Sequence, residues 1–276
     1  MTVLQAIILG ILQGLTEFLP VSSSGHLVIV QHYLKGFEQP GVLFDVSLHM
    51  GTLVAVLVYY RKTVADILRS LTAKLGMPED SNNIDHDVQR SQRRLGTLII
   101  VGTIPTAVVG ILFNDYVEVL FSSIGLTASM LIVTGVLLII ADHTKEQNRT
   151  INSMTFRDSI VIGFVQGLSI MPGISRSGST IATGLFRKIN GEEAAKFSFL
   201  LSIPAILGAV VLELPELSHV EINEIPAYLL GTLSALLSGL LAIKFLIRVL
   251  RQGRLRYFAF YCWVVGSGVI ILNFCY

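Results

Sequence analysis

Apolar residues run along most of this chain in long blocks. Six of them, at about 43–61, 95–113, 124–141, 195–213, 225–247 and 257–275, approach the roughly 20 residues that cross a bilayer. Each is predicted as a helix, because lipid offers backbone N–H and C=O groups no partners. Two further apolar regions, 3–34 and 156–187, are interrupted near the middle by Pro, Gly and Ser. Each is too long for one span, and neither holds a loop polar enough to separate two. The pattern predicts a re-entrant pair of half-helices in each, about 10–15 residues per half, leaving on the side it entered. The expected architecture is an all-α integral membrane protein, one membrane domain over residues 1–276 with six spans.

Composition agrees. The 276 residues are 52% hydrophobic and 14% charged, against roughly 25% charged in a soluble domain. No secretory leader is expected, since MTVLQAIILGILQG has no basic start. Net charge is +1, so bulk charge points to no partner and no nucleic acid is expected. The distribution of charge is informative. With two re-entrant pairs, the loops opposite the N-terminus are 61–94, 142–157, 187–196 and 248–256, and they carry 17 of the 20 Lys and Arg. The N-terminal side has Lys35 and is otherwise acidic, with Glu38, Asp115, Glu118, Glu213, Glu216, Glu221 and Glu224. The positive-inside rule makes the basic side cytoplasmic and puts both termini outside.

The two broken regions resemble each other. GILQGLTEFLPVSSSG from Gly10 aligns with GFVQGLSIMPGISRSG from Gly163, and Gly25 falls on Gly178. Downstream, FDVSLHMGTLVAVL from Phe44 falls on FSFLLSIPAILGAV from Phe197, and Leu95-Gly96-Thr97-Leu98 on Leu230-Gly231-Thr232-Leu233. Each half then holds one re-entrant pair and three spans. Three is odd, so the second half is inverted: repeat one is about 1–142 and repeat two about 156–276. Inverted repeats with broken helices place a site where the half-helix ends meet.

The chemistry sits at the breaks. Gln13 and Glu17 are four residues apart and share a helix face. Pro20 ends that half-helix, and Ser22, Ser23, Ser24 and Gly25 open the next, which carries His26. The serines suit N-caps, and free N–H groups there suit an anion, phosphate above all. In the second break Ser175, Ser177 and Gly178 repeat the design, and Arg176 joins them. An arginine at membrane depth points to function, and its planar fork matches phosphate oxygens. Glu17 could ligate a divalent cation or act as a general base, and His26 could move a proton. His32 and His49 lack such company and are expected to be structural, while His86, His143 and His219 fall in loops. Cys262 and Cys275 fit no metal or redox spacing and are expected to pack as small apolar residues.

SGH at Ser24 to His26 and SR at Ser175-Arg176 look like fragments of type-2 phosphatidic acid phosphatase motifs. That family also needs a histidine after its SR, and SGSTIATGLF has none. The upstream basic-Pro motif is missing too, so a serine is expected as the nucleophile. QGLTEFLPVSSSGH and PGISRSGST instead resemble the two signature regions of the bacterial undecaprenyl-diphosphate phosphatases, also called bacitracin-resistance proteins. The resemblance covers essentially the whole chain. It implies hydrolysis of a polyprenyl diphosphate lipid to the monophosphate at the outer face of the cytoplasmic membrane, recycling the cell-wall carrier and conferring bacitracin resistance. It implies dependence on Mg²⁺ or Ca²⁺ and roles for Glu17, Ser23, His26 and Arg176. At the family's first acidic position, Glu or Gln, this chain has Gln13, the second candidate metal ligand beside Glu17. A homodimer is compatible with this reading. The rival reading is a transporter or flippase of a lipid phosphate, because inverted repeats with half-helices also build transporters.

Overall fold

The computed structural model describes residues 1–34, 42–72, 86–113, 116–144, 147–213, 215 and 221–275. Lys35, Glu38, Lys74, Asp115, Lys145, Glu216 and His219 of the charge and histidine analysis lie outside them. The described chain is helical, with one isolated bridge between Arg149 and Ile189. In order the helices are α1 (Val3–Phe18), α2 (Ser23–Tyr33), α3 (Val42–Tyr59), α4 (Arg61–Thr72), α5 (His86–Phe113), α6 (Val117–Phe121), α7 (Ile124–Asp142), α8 (Phe156–Leu168), α9 (Arg176–Phe186), α10 (Gly191–Glu213), α11 (Ile225–Arg251) and α12 (Arg256–Cys275).

Helices α5, α7, α10, α11 and α12 are long and apolar enough to cross a membrane, and α3 passes the same test only together with α4, from which it is bent by 80°, which makes five spans or six. Five of the six expected spans are met outright, and α3 stands at the place of the sixth. The 27 residues of α11 make a rod of about 40 Å, longer than the roughly 30 Å hydrocarbon core, so its ends reach past the lipid tails. The sequence placed residues 61–72 in a loop, and here the structure differs. The apolar run stops at Tyr60, and the next turns are amphipathic: Ile67 and Ser70 are buried while Arg61, Lys62 and Arg69 are exposed. Such a segment gains by lying along an interface. It turns and packs on α5, where Ile67 and Leu71 fill the hollow at Gly96.

Both broken regions are helix pairs. Thr2 and Gln5 form a capping box at the start of α1, and Leu19, ahead of Pro20, turns to extended backbone (φ −66°, ψ 142°) because a following proline disfavours the helical region. Helix α1 has 16 residues, one more than the expected range. In the second region Thr155 and Asp158 form the capping box of α8, which ends at Leu168. The halves α1 and α2 pack on each other, as do α8 and α9.

Each leading half-helix lies against a span of the other half of the chain, α1 on α11 and α8 on α5. Both crossings use glycine so that backbones touch. A Cβ on Gly10 would strike the Gly231 carbonyl, and one on Gly163 would strike the Gly102 carbonyl. The Thr106 hydroxyl donates to the Gly163 carbonyl at 2.7 Å. The crossings thus use Gly231 and Gly102, whereas Gly96, which the sequence aligns with Gly231, serves the docking of α4. Helix α9 is enclosed by α7, α8 and α10, and Ser177 to Leu185 are buried without interruption. Cys262 is buried as expected, with its thiol 3.8 Å from the Pro20 carbonyl, whereas Cys275, at the end of α12, is exposed.

Candidate active site

The two breaks press against each other. A Cβ on Gly25 would meet the Gly173 backbone, and one on Gly178 would meet Pro20. Only glycine permits this approach at both points, and it brings α9 to the end of α1. Ser175 caps α9 by accepting from the Gly178 N–H at 3.0 Å, while its own N–H donates to the Thr134 hydroxyl at 3.0 Å. The Ser177 hydroxyl donates to the Leu19 carbonyl at 3.1 Å, tying the second break to the first. The Ser177 hydroxyl therefore ties the two breaks together, while the Ser175 hydroxyl stays within the second.

Arg176, between them, reaches across to Glu17. Its Nη2 donates to Glu17 Oε1 at 2.5 Å. Glu17 Oε2 accepts from the Ser23 hydroxyl at 2.5 Å and from Gln13 Nε2 at 2.8 Å. The Glu17 side chain is 4% exposed. A carboxylate at that depth is sustained only by donors on both oxygens, and here it has them. The three serines of the first break separate in role. Ser22 is the N-cap of α2 and accepts from the Gly25 N–H at 3.2 Å. Ser23 holds Glu17, and the partly buried Ser24 hydroxyl lies 3.4 Å from that of Ser22. His26 is buried beside them, but its ring nitrogens pair with the Ser22 carbonyl at 2.7 Å and the Tyr261 hydroxyl at 2.9 Å. Neither is directed to Ser23.

His49 was expected to lack such company, and the structure instead places it beside Glu17. Its Nε2 stands 3.5 Å from Glu17 Oε2, with Nδ1 donating to the Asp45 carbonyl at 2.8 Å. Asp45 in turn accepts from Gln31 Nε2 at 2.8 Å. The signal was present: Asp45 and His49 are four residues apart on one face of a membrane span. Tyr261 left no such signal, because tyrosines are common near membrane interfaces.

Two buried atoms at the centre lack partners, Gln13 Oε1 and Arg176 Nη1. A free carboxamide oxygen and a free guanidinium N–H, on either side of one carboxylate, suit a cation and an anionic oxygen respectively. Among the described residues no group of three or more His, Cys, Asp or Glu could hold a metal. The oxygen donors present, Glu17, the Gln13 carboxamide and the serine hydroxyls, fit a hard cation completed by phosphate and water, as Mg²⁺ takes.

Fold and site together define a polytopic helical membrane protein with a serine, carboxylate and arginine centre where two helix breaks meet. The chain belongs to the family described as bacitracin resistance protein BacA, which it matches over residues 6–268. It is 47% identical over 267 residues to the undecaprenyl-diphosphatase of Syntrophotalea carbinolica, covering 97% of each chain. It is 45% identical over 280 residues to that of Desulforapulum autotrophicum, covering 99% of each. Identity to that of Carboxydothermus hydrogenoformans is 42% over 273 residues, covering 98% of this chain and 97% of the relative.

Proposed function

We propose that this chain hydrolyses undecaprenyl diphosphate, or a similar polyprenyl diphosphate, to the monophosphate and inorganic phosphate. The carrying observation is the Ser23 hydroxyl on Glu17 Oε2, with Arg176 on the other oxygen of the same carboxylate. Ser23 Oγ attacks the terminal phosphorus while its proton passes to Glu17. The bond from that phosphorus to the bridging oxygen breaks, and the lipid leaves as the monophosphate. Water then attacks the phosphoserine, Ser23 recovers its proton, and phosphate departs. Arg176 offers the unpaired Nη1–H to the phosphoryl oxygens as charge shifts onto them. Gln13 and Glu17 would hold Mg²⁺ or Ca²⁺, which supplies charge neutralisation across the diphosphate.

The matched crossings at Gly10 and Gly163 support two inverted repeats, about 1–142 and 156–276. The basic loops opposite the N-terminus support a cytoplasmic-membrane protein with both termini outside and a site open to the outer face. The product would then re-enter the cell-wall carrier cycle, and hydrolysis would confer bacitracin resistance. The test is release of phosphate from undecaprenyl diphosphate by purified protein in detergent. A transporter or flippase of lipid phosphate releases none without a membrane; an enzyme does.

A further inference from the structure

Ser22 is one of only two non-glycine residues with positive φ among those described, at φ 68° and ψ 97°. A side chain in that region is strained and persists only where its surroundings hold it. The equivalent serine of the second break, Ser175, has an ordinary φ of −73°, and there the left-handed residue is Gly173. The strain therefore belongs to the first break, immediately ahead of Ser23.

His26 acts on this residue. Its backbone N–H donates to the Ser22 carbonyl at 3.2 Å, and its Nδ1 to the same carbonyl at 2.7 Å. A carbonyl only accepts, so Nδ1 carries the proton. In the neutral ring Nε2 then accepts, and it meets the Tyr261 hydroxyl at 2.9 Å. The two rings stack, 9° from parallel with centroids 5.5 Å apart. At the corresponding place in the second break stands Ser179, where no left-handed serine needs holding. The histidine occurs where the strain is.

We propose that Tyr261 and His26 are positioning residues: Tyr261 fixes the His26 ring, and the ring clamps the left-handed Ser22 turn that presents Ser23 to Glu17. This rests on Ser23 as the attacking group, and it gives His26 a mechanical role in place of proton transfer.

Glycine adopts positive φ without strain, so Ser22→Gly removes the need for the clamp. In the wild-type background His26→Ala should lower kcat by roughly tenfold to a hundredfold with KM nearly constant. In the Ser22→Gly background the same substitution should cost less than about fivefold. Tyr261→Phe keeps the stacked ring and should lower kcat by about three- to tenfold, an effect that vanishes once His26 is Ala. An equal His26→Ala loss in both backgrounds would overturn the proposal and make His26 a proton carrier. An undiminished Tyr261→Phe loss in His26→Ala would overturn it too. Should Ser22→Gly itself be inactive, the Tyr261 and His26 cycle alone decides. Ser23→Ala, assayed alongside, separates the two readings: full activity there defeats Ser23 as nucleophile, whatever the clamp does.

Discussion

Arg176→Met tests the join between the two breaks. The substitution keeps a long apolar stem and removes the charge that holds Glu17 Oε1 at 2.5 Å. Glu17, with its side chain 4% exposed, is then a buried carboxylate short of its main counter-charge. Removing one partner of such a pair costs about 3–5 kcal/mol. Gln13 and Ser23 still donate to Oε2, so the lower end, about 3 kcal/mol, is expected. At about 2–4 °C per kcal/mol for a chain of this size, the midpoint in detergent should fall by about 6–12 °C. Glu17→Gln on top of Arg176→Met removes the stranded charge. The double variant should melt at least about 4 °C above Arg176→Met, a positive coupling between residues 159 apart in sequence. Thermal unfolding followed by size-exclusion chromatography measures the midpoints, and phosphate release measures function. Activity should be absent in both variants, since stability is recovered without the guanidinium proposed to meet the phosphoryl oxygens. A double variant as unstable as the two single losses combined would refute the pairing. Near wild-type turnover by Arg176→Met would remove Arg176 from the site.

Chelation should abolish phosphate release and added Mg²⁺ or Ca²⁺ should restore it, with Glu17→Gln raising the metal concentration required or ending activity; full activity in chelator would leave Glu17 as a base only. Cysteine placed at Gln252, which is exposed beyond α11, should react only with reagents that reach the cytoplasm, and one at Glu221 should react from outside. Labelling of Gln252→Cys by an impermeant reagent on intact cells would reverse the orientation.

The spans were legible because lipid requires long, uniform apolar helices, a rule with few exceptions. The breaks were legible because Pro, Ser and Gly cluster at the middle of each, whereas the isolated Pro105 and Pro204 lie inside continuous helices. Helix α4 was missed since a hydropathy pattern that ends in Arg61 and Lys62 reads as a loop unless its amphipathic period is followed further. The role of Gly102 was hidden because G-T pairs recur in apolar sequence, and the crossing with Gly163 singles it out. Glu17, Ser23 and Arg176 could be singled out, since charge and hydroxyls at membrane depth are costly. Their pairing could not, because Glu17 and Arg176 meet through contacts between the breaks, Gly25 on Gly173, Gly178 on Pro20 and Ser177 on Leu19, that no local pattern announces. Which serine caps α2 was equally hidden: all three are suitable, and the left-handed turn at Ser22 decides it.

The central claim is that Ser23 is the group that attacks the diphosphate. The direct measurement is phosphate release from undecaprenyl diphosphate by purified Ser23→Ala beside the wild type, with Ser22→Ala as the comparison. Loss of the Ser22 cap costs about 1 kcal/mol of stability and should lower turnover much less than Ser23→Ala does. Ser23→Ala should lose roughly a thousandfold or more while folding and eluting normally. Substantial turnover by Ser23→Ala would contradict the account and assign the attack to a water activated by Glu17.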